Sequence, residues 1–249
     1  NSIPKAYSLQ RVDNSQHLGI VKEGYRPIQI EEMLDVINDA SSVIGDIEHT
    51  GYAESKAGRK MVVRSRLLHD IDMDGDVIQP HFYTVIDHTG MGSNKTLPST
   101  IRVSCDNAMH IVSADESLGK LDGVRHADTF NEKIQAMVNQ IKCNVSNTIR
   151  FAGDARQLRS QKFDRNQMTK LVQTLIPVEE EESVKRQTKR EKIVDLFSNG
   201  RGNSGESKWD ALNAVTEFET HSGKQTTDKF IRSFSKNTLS ARTHNLLVA

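Results

Sequence analysis

The chain has 249 residues, of which 36% are hydrophobic and 27% charged, with 33 basic and 33 acidic side chains that cancel. A core is affordable at this length, but a sizeable fraction of the chain must be surface, linker or interface. Net charge therefore excludes a globally basic nucleic-acid binder, and any such affinity must come from local clustering. Two cysteines, Cys105 and Cys143, make neither a CxxC unit nor a disulfide framework, and no run of about 18 apolar residues is present. With no signal-peptide pattern at the N-terminus, the expectation is a soluble cytoplasmic protein with no membrane contact.

Residues 1–24 are polar and weakly patterned, which predicts an N-terminal arm. Pro27 opens a helical stretch in which Ile30, Met33, Leu34 and Ile37 recur at helical spacing, and Gly45 ends it. The period then changes to two. In the segment 59–69, Met61, Val63 and Leu67 alternate with Lys60, Arg64 and Arg66, as in a strand with one apolar and one basic face. Asp74-Gly75 supplies the positive φ values of a hairpin turn, and a second strand follows over 77–87. A glycine-containing loop, 90–99, leads to a third strand in which Ile101, Val103 and Cys105 alternate with Arg102, Ser104 and Asp106, breaking at Asn107. The expected layout is a three-stranded antiparallel meander.

The longest helix signal starts at the capping-box pattern Thr129-Phe-Asn-Glu132. Its stripe runs through Val138, Ile141, Val145, Ile149 and Ala152. Asp164 caps a further helix that Pro177 stops. The acidic block 179–182 and the basic residues Lys185, Arg186, Lys189 and Arg190 precede Gly200-Arg-Gly-Asn-Ser-Gly205, the linker candidate. Trp209, Leu212, Val215 and Phe218 give the next helix an apolar face, and 228–247 closes the chain as helix. The expected class is α+β, a meander covered by a long helix and followed by a helical C-terminal part. Its divisions are the arm 1–24, a core 25–178, a charged helix and linker 179–205, and a C-terminal segment 206–249.

Asp70, Asp72 and Asp74 mimic half of a calcium loop, but position twelve holds His81 instead of a bidentate glutamate. A hairpin tip explains them better. The nine histidines show no HxxxH spacing, although His69, His81 and His88 fall where a hairpin would gather them. No P-loop or dinucleotide fingerprint occurs in a strand–turn–helix context. Basic residues cluster instead. Between Ile141 and Lys170 there are seven basic and two acidic side chains, a local charge of +5. If the strands neighbour one another, Lys60, Arg64, Arg66 and Arg102 form a stripe on the sheet face away from the apolar residues. The end of the long helix would continue it. The expected phosphate contacts are Lys60, Arg64, Arg66, Arg102, Arg125, Lys142, Arg150, Arg156, Arg159 and Lys162. Phe82, Tyr83 and Phe163 are the candidate stacking aromatics. No catalytic residue, metal or cofactor is assigned.

Three patches also carry a resemblance: Thr100-Ile-Arg-Val-Ser-Cys-Asp-Asn-Ala-Met109, Val-Arg-His-Ala-Asp-Thr around residue 125, and Trp209-Asp-Ala-Leu-Asn-Ala-Val-Thr-Glu-Phe-Glu-Thr-His221. In that order they resemble a phage- and plasmid-borne family of uncharacterised proteins. Its members show Arg-x-x-Cys-x-Asn, an Arg-His before a long helix, and a late Leu-Asn-Ala-Val-Thr-Glu-Tyr-x-x-His. Phe218 departs from the usual tyrosine. The architecture is also similar to single-strand annealing recombinases of the Red beta, RecT and Erf types. That similarity implies rings or filaments that anneal single-stranded DNA without ATP, alongside a phage exonuclease or a host single-strand-binding protein. The alternatives are an interaction protein aimed at a host defence or replication factor, and a metal-dependent nucleic-acid enzyme using the Asp70–Asp76 cluster and His81.

Overall fold

The computed structural model describes residues 5–55, 58–92, 94–104, 107–110, 130–223, 226–234 and 237–249. It is an α+β fold, and the described residues form two antiparallel sheets with one helix between them in sequence and six after them. Strands β1 (Ala6–Gln10) and β2 (His17–Lys22) pair as a ribbon where the sequence suggests an arm. The ribbon is tied to the body by Arg11, which pairs with both Asp13 and Glu54 at 2.8 Å. Gly19 is needed where the ribbon crosses the body, because a Cβ there would overlap the carbonyl oxygen of Thr89.

Helix α1 (Ile30–Ile44) begins three residues after Pro27. Its start is closed by the Gln29 backbone N–H donating to Glu32 Oε2 at 3.0 Å, with Glu31 and Glu32 at the positive end of the dipole. Gly45, at φ 98°, ends it as the spacing predicts.

The large sheet contains β3 (Ile47–Glu54), β4 (Lys60–Leu67), β5 (Ile71–Met73), β6 (Asp76–Asp87), β7 (Lys95–Arg102) and β8 (Asn107–His110). Its order is β3-β4-β6-β7-β8, with β5 paired to β6 and every pairing antiparallel. The predicted meander is its centre, β4-β6-β7. Asp74 and Gly75, at φ 58° and 88°, form the two-residue β5–β6 turn, and Asp72 Oδ1 accepts the Gly75 N–H at 2.7 Å. The third strand differs from expectation. It stops at Arg102, and Asn107 starts a return strand, with Arg102 opposite Asn107. Cys105, Asp106, Arg125 and the Thr129 cap lie outside the described residues.

Helix α2 (Phe130–Ser160) crosses one face of the sheet. Helices α3 (Arg165–Leu175), α4 (Val184–Asn199), α5 (Lys208–His221), α6 (Thr227–Arg232) and α7 (Leu239–Val248) follow. Asp164 caps α3 as predicted, accepting the Gln167 N–H at 2.8 Å. The predicted stripe on α2 holds at Val138, Ile141, Val145 and Ala152 but not at Ile149, which is 64% exposed; Thr148, Phe151, Ala155 and Leu158 are buried as well. The acidic block before α4 neutralises basic residues on its first turns, Glu179 with Arg186 and Glu182 with Arg190.

Three apolar clusters result. Met33, Val36 and Ile37 of α1 meet Leu67, Phe82 and Ile86 of the sheet and Ile141 of α2. A larger one joins Met73 and Ile78 to the C-terminal half of α2 and to α3, α4, α5 and α7, with Trp209, Phe197 and Met168 at its centre. A band of buried polar residues, Thr84, Thr96, Thr100, Asn144 and Thr148, also lies in the interior. On the other face of the sheet, Val62, Tyr83, Val85 and Leu97 are covered by Phe230, Ile231 and Phe234 from α6 and the turn after it.

Candidate nucleic-acid interface

The register decides which cations can act together. In β4, Lys60, Arg64 and Arg66 stand opposite Asp87, Tyr83 and His81 of β6, so all share the face on which Val62, Tyr83 and Val85 pack under α6. Lys95 of β7, opposite Val85, belongs to the same face, on the far side of β6 from Lys60. Burial, then the nearby Lys60 charge, pushes the Lys95 ammonium below its ordinary value. Residues Lys229 and Arg232 of α6 add two cations to this side. Sequence alternation found Lys60, Arg64 and Arg66; Lys95 was hidden because only strand pairing brings it beside Lys60.

Each of the three β4 cations has a partner. Lys60 Nζ lies 3.4 Å from Asp87 Oδ2, and Arg66 donates to Asp70 Oδ1 at 2.8 Å. Arg64 donates through Nε to Thr50 Oγ1 at 2.8 Å and through Nη2 to the Thr50 carbonyl at 3.2 Å. Gly51 lies opposite Arg64, and the guanidinium lies over it, 3.6 Å from where a Cβ would stand. Asp87 is itself buried, so only the Arg66–Asp70 pair is partly exposed on both sides, the kind that contributes little to stability.

Arg102 does not belong to this stripe. It stands opposite Ile78, and Ile78 is buried in the cluster under α2 and α5, so Arg102 points to the helix-covered face. Only 3% exposed, it donates from Nε to Asp76 at 2.8–2.9 Å, from Nη2 to the Gly202 carbonyl at 2.7 Å, and from Nη1 to Asn203 Oδ1 at 2.8 Å. Trp209 Nε1 donates to the same Asp76 carboxylate at 2.8 Å, and its ring lies under the guanidinium, 5.8 Å from centroid to Cζ. This is a buried, satisfied ion pair, which corrects the reading of Arg102 as a phosphate contact.

The loop expected to be a flexible linker, 200–205, is the other half of that site. Besides holding Arg102, Asn203 donates to the carbonyl of Leu196 at 2.9 Å, and a Cβ on Gly200 would overlap that same carbonyl. Glycine here answers close backbone approach, and the loop is bonded on both sides.

The helix cations form a separate region. Arg150 and Arg159 are nine residues apart, about half a turn around the helix axis at 100° per residue, so they cannot line one groove. Lys142 and Arg150 are exposed on α2. Arg156 and Arg159 donate to the carbonyls of Asp72 and Met73, closing the β5–β6 hairpin onto α2. Arg159, Lys162 and Arg165 then line a cleft of about 1040 Å³, together with Asp76, Asp164, Glu206 and Asp210. Four cations, counting Arg102, face four carboxylates there, so the cleft carries no excess charge. The predicted continuity of one basic stripe from sheet to helix end is thus broken by the sheet itself.

The remaining candidates have structural partners. Phe82 and Tyr83 are buried, and Phe163 packs edge-on against Phe197. His81 bonds the Gln79 carbonyl and His88 the Ile28 carbonyl, each at 3.0 Å. Asp70 and Asp72 are engaged with Arg66 and the hairpin turn, and no group of three metal-ligating side chains gathers among the described residues. None of the described helices is long and apolar enough to cross a membrane.

No curated protein and no solved structure matches the chain. A family model described as a domain of unknown function, DUF932, matches residues 17–246, from β2 through to α7, and the chain therefore belongs to the DUF932 family.

Proposed function

We propose that the chain is a single-stranded DNA-binding protein of mobile-element origin that anneals strands without nucleoside triphosphate, as a homo-oligomer, in recombination or replication. The observation that carries this reading is the common face of Lys60, Arg64, Arg66 and Lys95, three cations along β4 and one across β6 around the apolar patch that α6 covers, on a sheet whose other face bears the long helix. From Lys60 to Arg66 the line spans about 20 Å of strand, enough to touch several phosphates without reading sequence. The likeness to annealing recombinases read from the sequence is part of this proposal. A phage exonuclease or a host single-strand-binding protein is the partner class that goes with it.

The test is a titration of a labelled 20-nucleotide single strand from low to moderate salt. Affinity should fall steeply as salt rises, because each neutralised phosphate releases counterions. Mixing complementary strands with the protein should then speed duplex formation with no nucleotide added. Absence of binding at low salt would end the proposal.

A further inference from the structure

A groove of about 760 Å³ runs between α6 and the strands β3, β4 and β6, on the same face as Lys60, Arg64 and Arg66. That volume is within the ~300–1,000 Å³ range of sites that enclose a small ligand. Ala53 and Val62, opposite one another in the β3–β4 register, make an apolar floor. Phe230, packed edge to face on the buried Tyr83 with centroids 4.6 Å apart, makes an aromatic wall. Two guanidinium groups stand at the groove, Arg64 fixed by Thr50 and Arg232 exposed at the end of α6. The carboxylate that also lines it, Glu54, is paired with Arg11.

We propose that this groove receives unpaired bases of the strand whose phosphates lie on the β4 cations. The inference rests on the single-strand reading above and adds to it the part of the ligand that is recognised. An apolar floor with an aromatic wall suits a flat ring, and guanidinium groups at the lip suit the phosphates on either side of it. A duplex keeps its base faces stacked and its edges paired, so it cannot place a base between α6 and the sheet. The groove therefore selects single strands over duplexes, which a line of surface cations alone does not do.

The experiment uses the full chain and three probes of equal length at one salt concentration: a 20-nucleotide oligothymidylate, the corresponding base-free oligonucleotide, and a duplex. The expected result is at least about tenfold tighter binding of oligothymidylate than of the base-free strand, the range of one or two stacked bases. Ala53→Leu, which fills the floor, should remove that preference and leave binding of the base-free strand unchanged. Phe230→Leu, which keeps an apolar contact with Tyr83 but loses the ring, is the second variant and should act in the same direction. Equal binding of the base-bearing and base-free strands would overturn the groove proposal while leaving the phosphate reading intact. Binding of neither would overturn both. A tenfold preference that survives both substitutions would place base recognition elsewhere and also overturn it.

Discussion

Trp209 Nε1 and Asp76 Oδ2 lie 2.8 Å apart across 133 residues of sequence, joining the late helix α5 to the first residue of β6. Arg102 completes the arrangement from β7, so one carboxylate satisfies an indole and a guanidinium in the interior. Replacing Asp76 with alanine leaves a buried cation without its counter-charge, which should cost about 3–5 kcal/mol. Trp209→Phe removes one hydrogen bond to a charged group and should cost about 1.5–3 kcal/mol. Urea unfolding checks both, and Trp209 is the only tryptophan in the chain, so its fluorescence reports this junction directly in the Asp76 variant. Arg102→Ala should lower stability comparably to Asp76→Ala; weakened DNA binding at unchanged stability would contradict the structural role given to Arg102.

The second prediction concerns the sheet cations. Replacing Lys60, Arg64 and Arg66 together by alanine should reduce the salt slope of single-strand binding by about 2, three contacts at about 0.7 each. Replacing Lys142 and Arg150, exposed on the long helix, should leave that slope nearly unchanged. Equal effects from the two sets would show that the sheet does not divide the basic residues functionally. Anisotropy titrations at four or five salt concentrations are sufficient.

Acid should weaken the fold through buried imidazoles. Burial holds His81 below the ordinary imidazole value, outweighing its bond to the Gln79 carbonyl, and burial likewise lowers His244 despite the nearby Asp154. The unfolded chain then binds protons at these positions more readily than the folded one. Their contribution is fully present above about pH 6.5 and is lost as pH falls below it, through the lowered folded values. Thermal melts between pH 7.5 and 5 should show the midpoint falling with acid. His81→Gln should flatten that limb, and an unchanged slope would rule out His81 as a source of it.

Gly19 offers a test of how the N-terminal ribbon is attached. Gly19→Ala would set a methyl against the Thr89 carbonyl, a backbone atom that cannot rotate away. The ribbon should lift from the loop after β6, so that limited proteolysis cuts near residues 23–29 faster than in the unaltered chain. Gly24→Ala meets no neighbouring atom, and its φ of 85° confines the effect to a local cost of about 1 kcal/mol. Similar cleavage rates for Gly19→Ala and the unaltered chain would mean that the ribbon is not held by this contact.

The parts of the fold legible in the sequence were those written in short periods. The alternation in 60–67, the Asp74-Gly75 turn, the Asp164 cap and the apolar face of 209–218 each depend on neighbours within a few residues. Arg102 shows where such reading fails. Ile101 and Val103 look like the inward residues of their strand, yet Val103 is 49% exposed and Arg102 points inward, because Asp76 and Trp209 await it there from distant parts of the chain. Thr148 and Ile149 exchange places for a related reason: the surface of the sheet, and not the helix's own pattern, sets which side of α2 is covered. The glycines of 200–205 read as flexibility by composition alone, whereas Gly200 abuts the Leu196 carbonyl, Gly202 abuts Ser104 and Gly205 abuts Ser198, the last two also at positive φ.

That loop has a practical consequence for dissecting the protein. A truncation ending near residue 199, the natural choice if 200–205 were a tether, would remove the Gly202 carbonyl, the Asn203 amide and Trp209 from around Arg102 in one stroke. The sheet would be left with a buried charge facing water-exposed hydrocarbon from α2, so the fragment should be recovered as aggregate. Fragments meant to isolate the large sheet must therefore keep α5, and the smallest soluble piece of this chain should extend at least to His221.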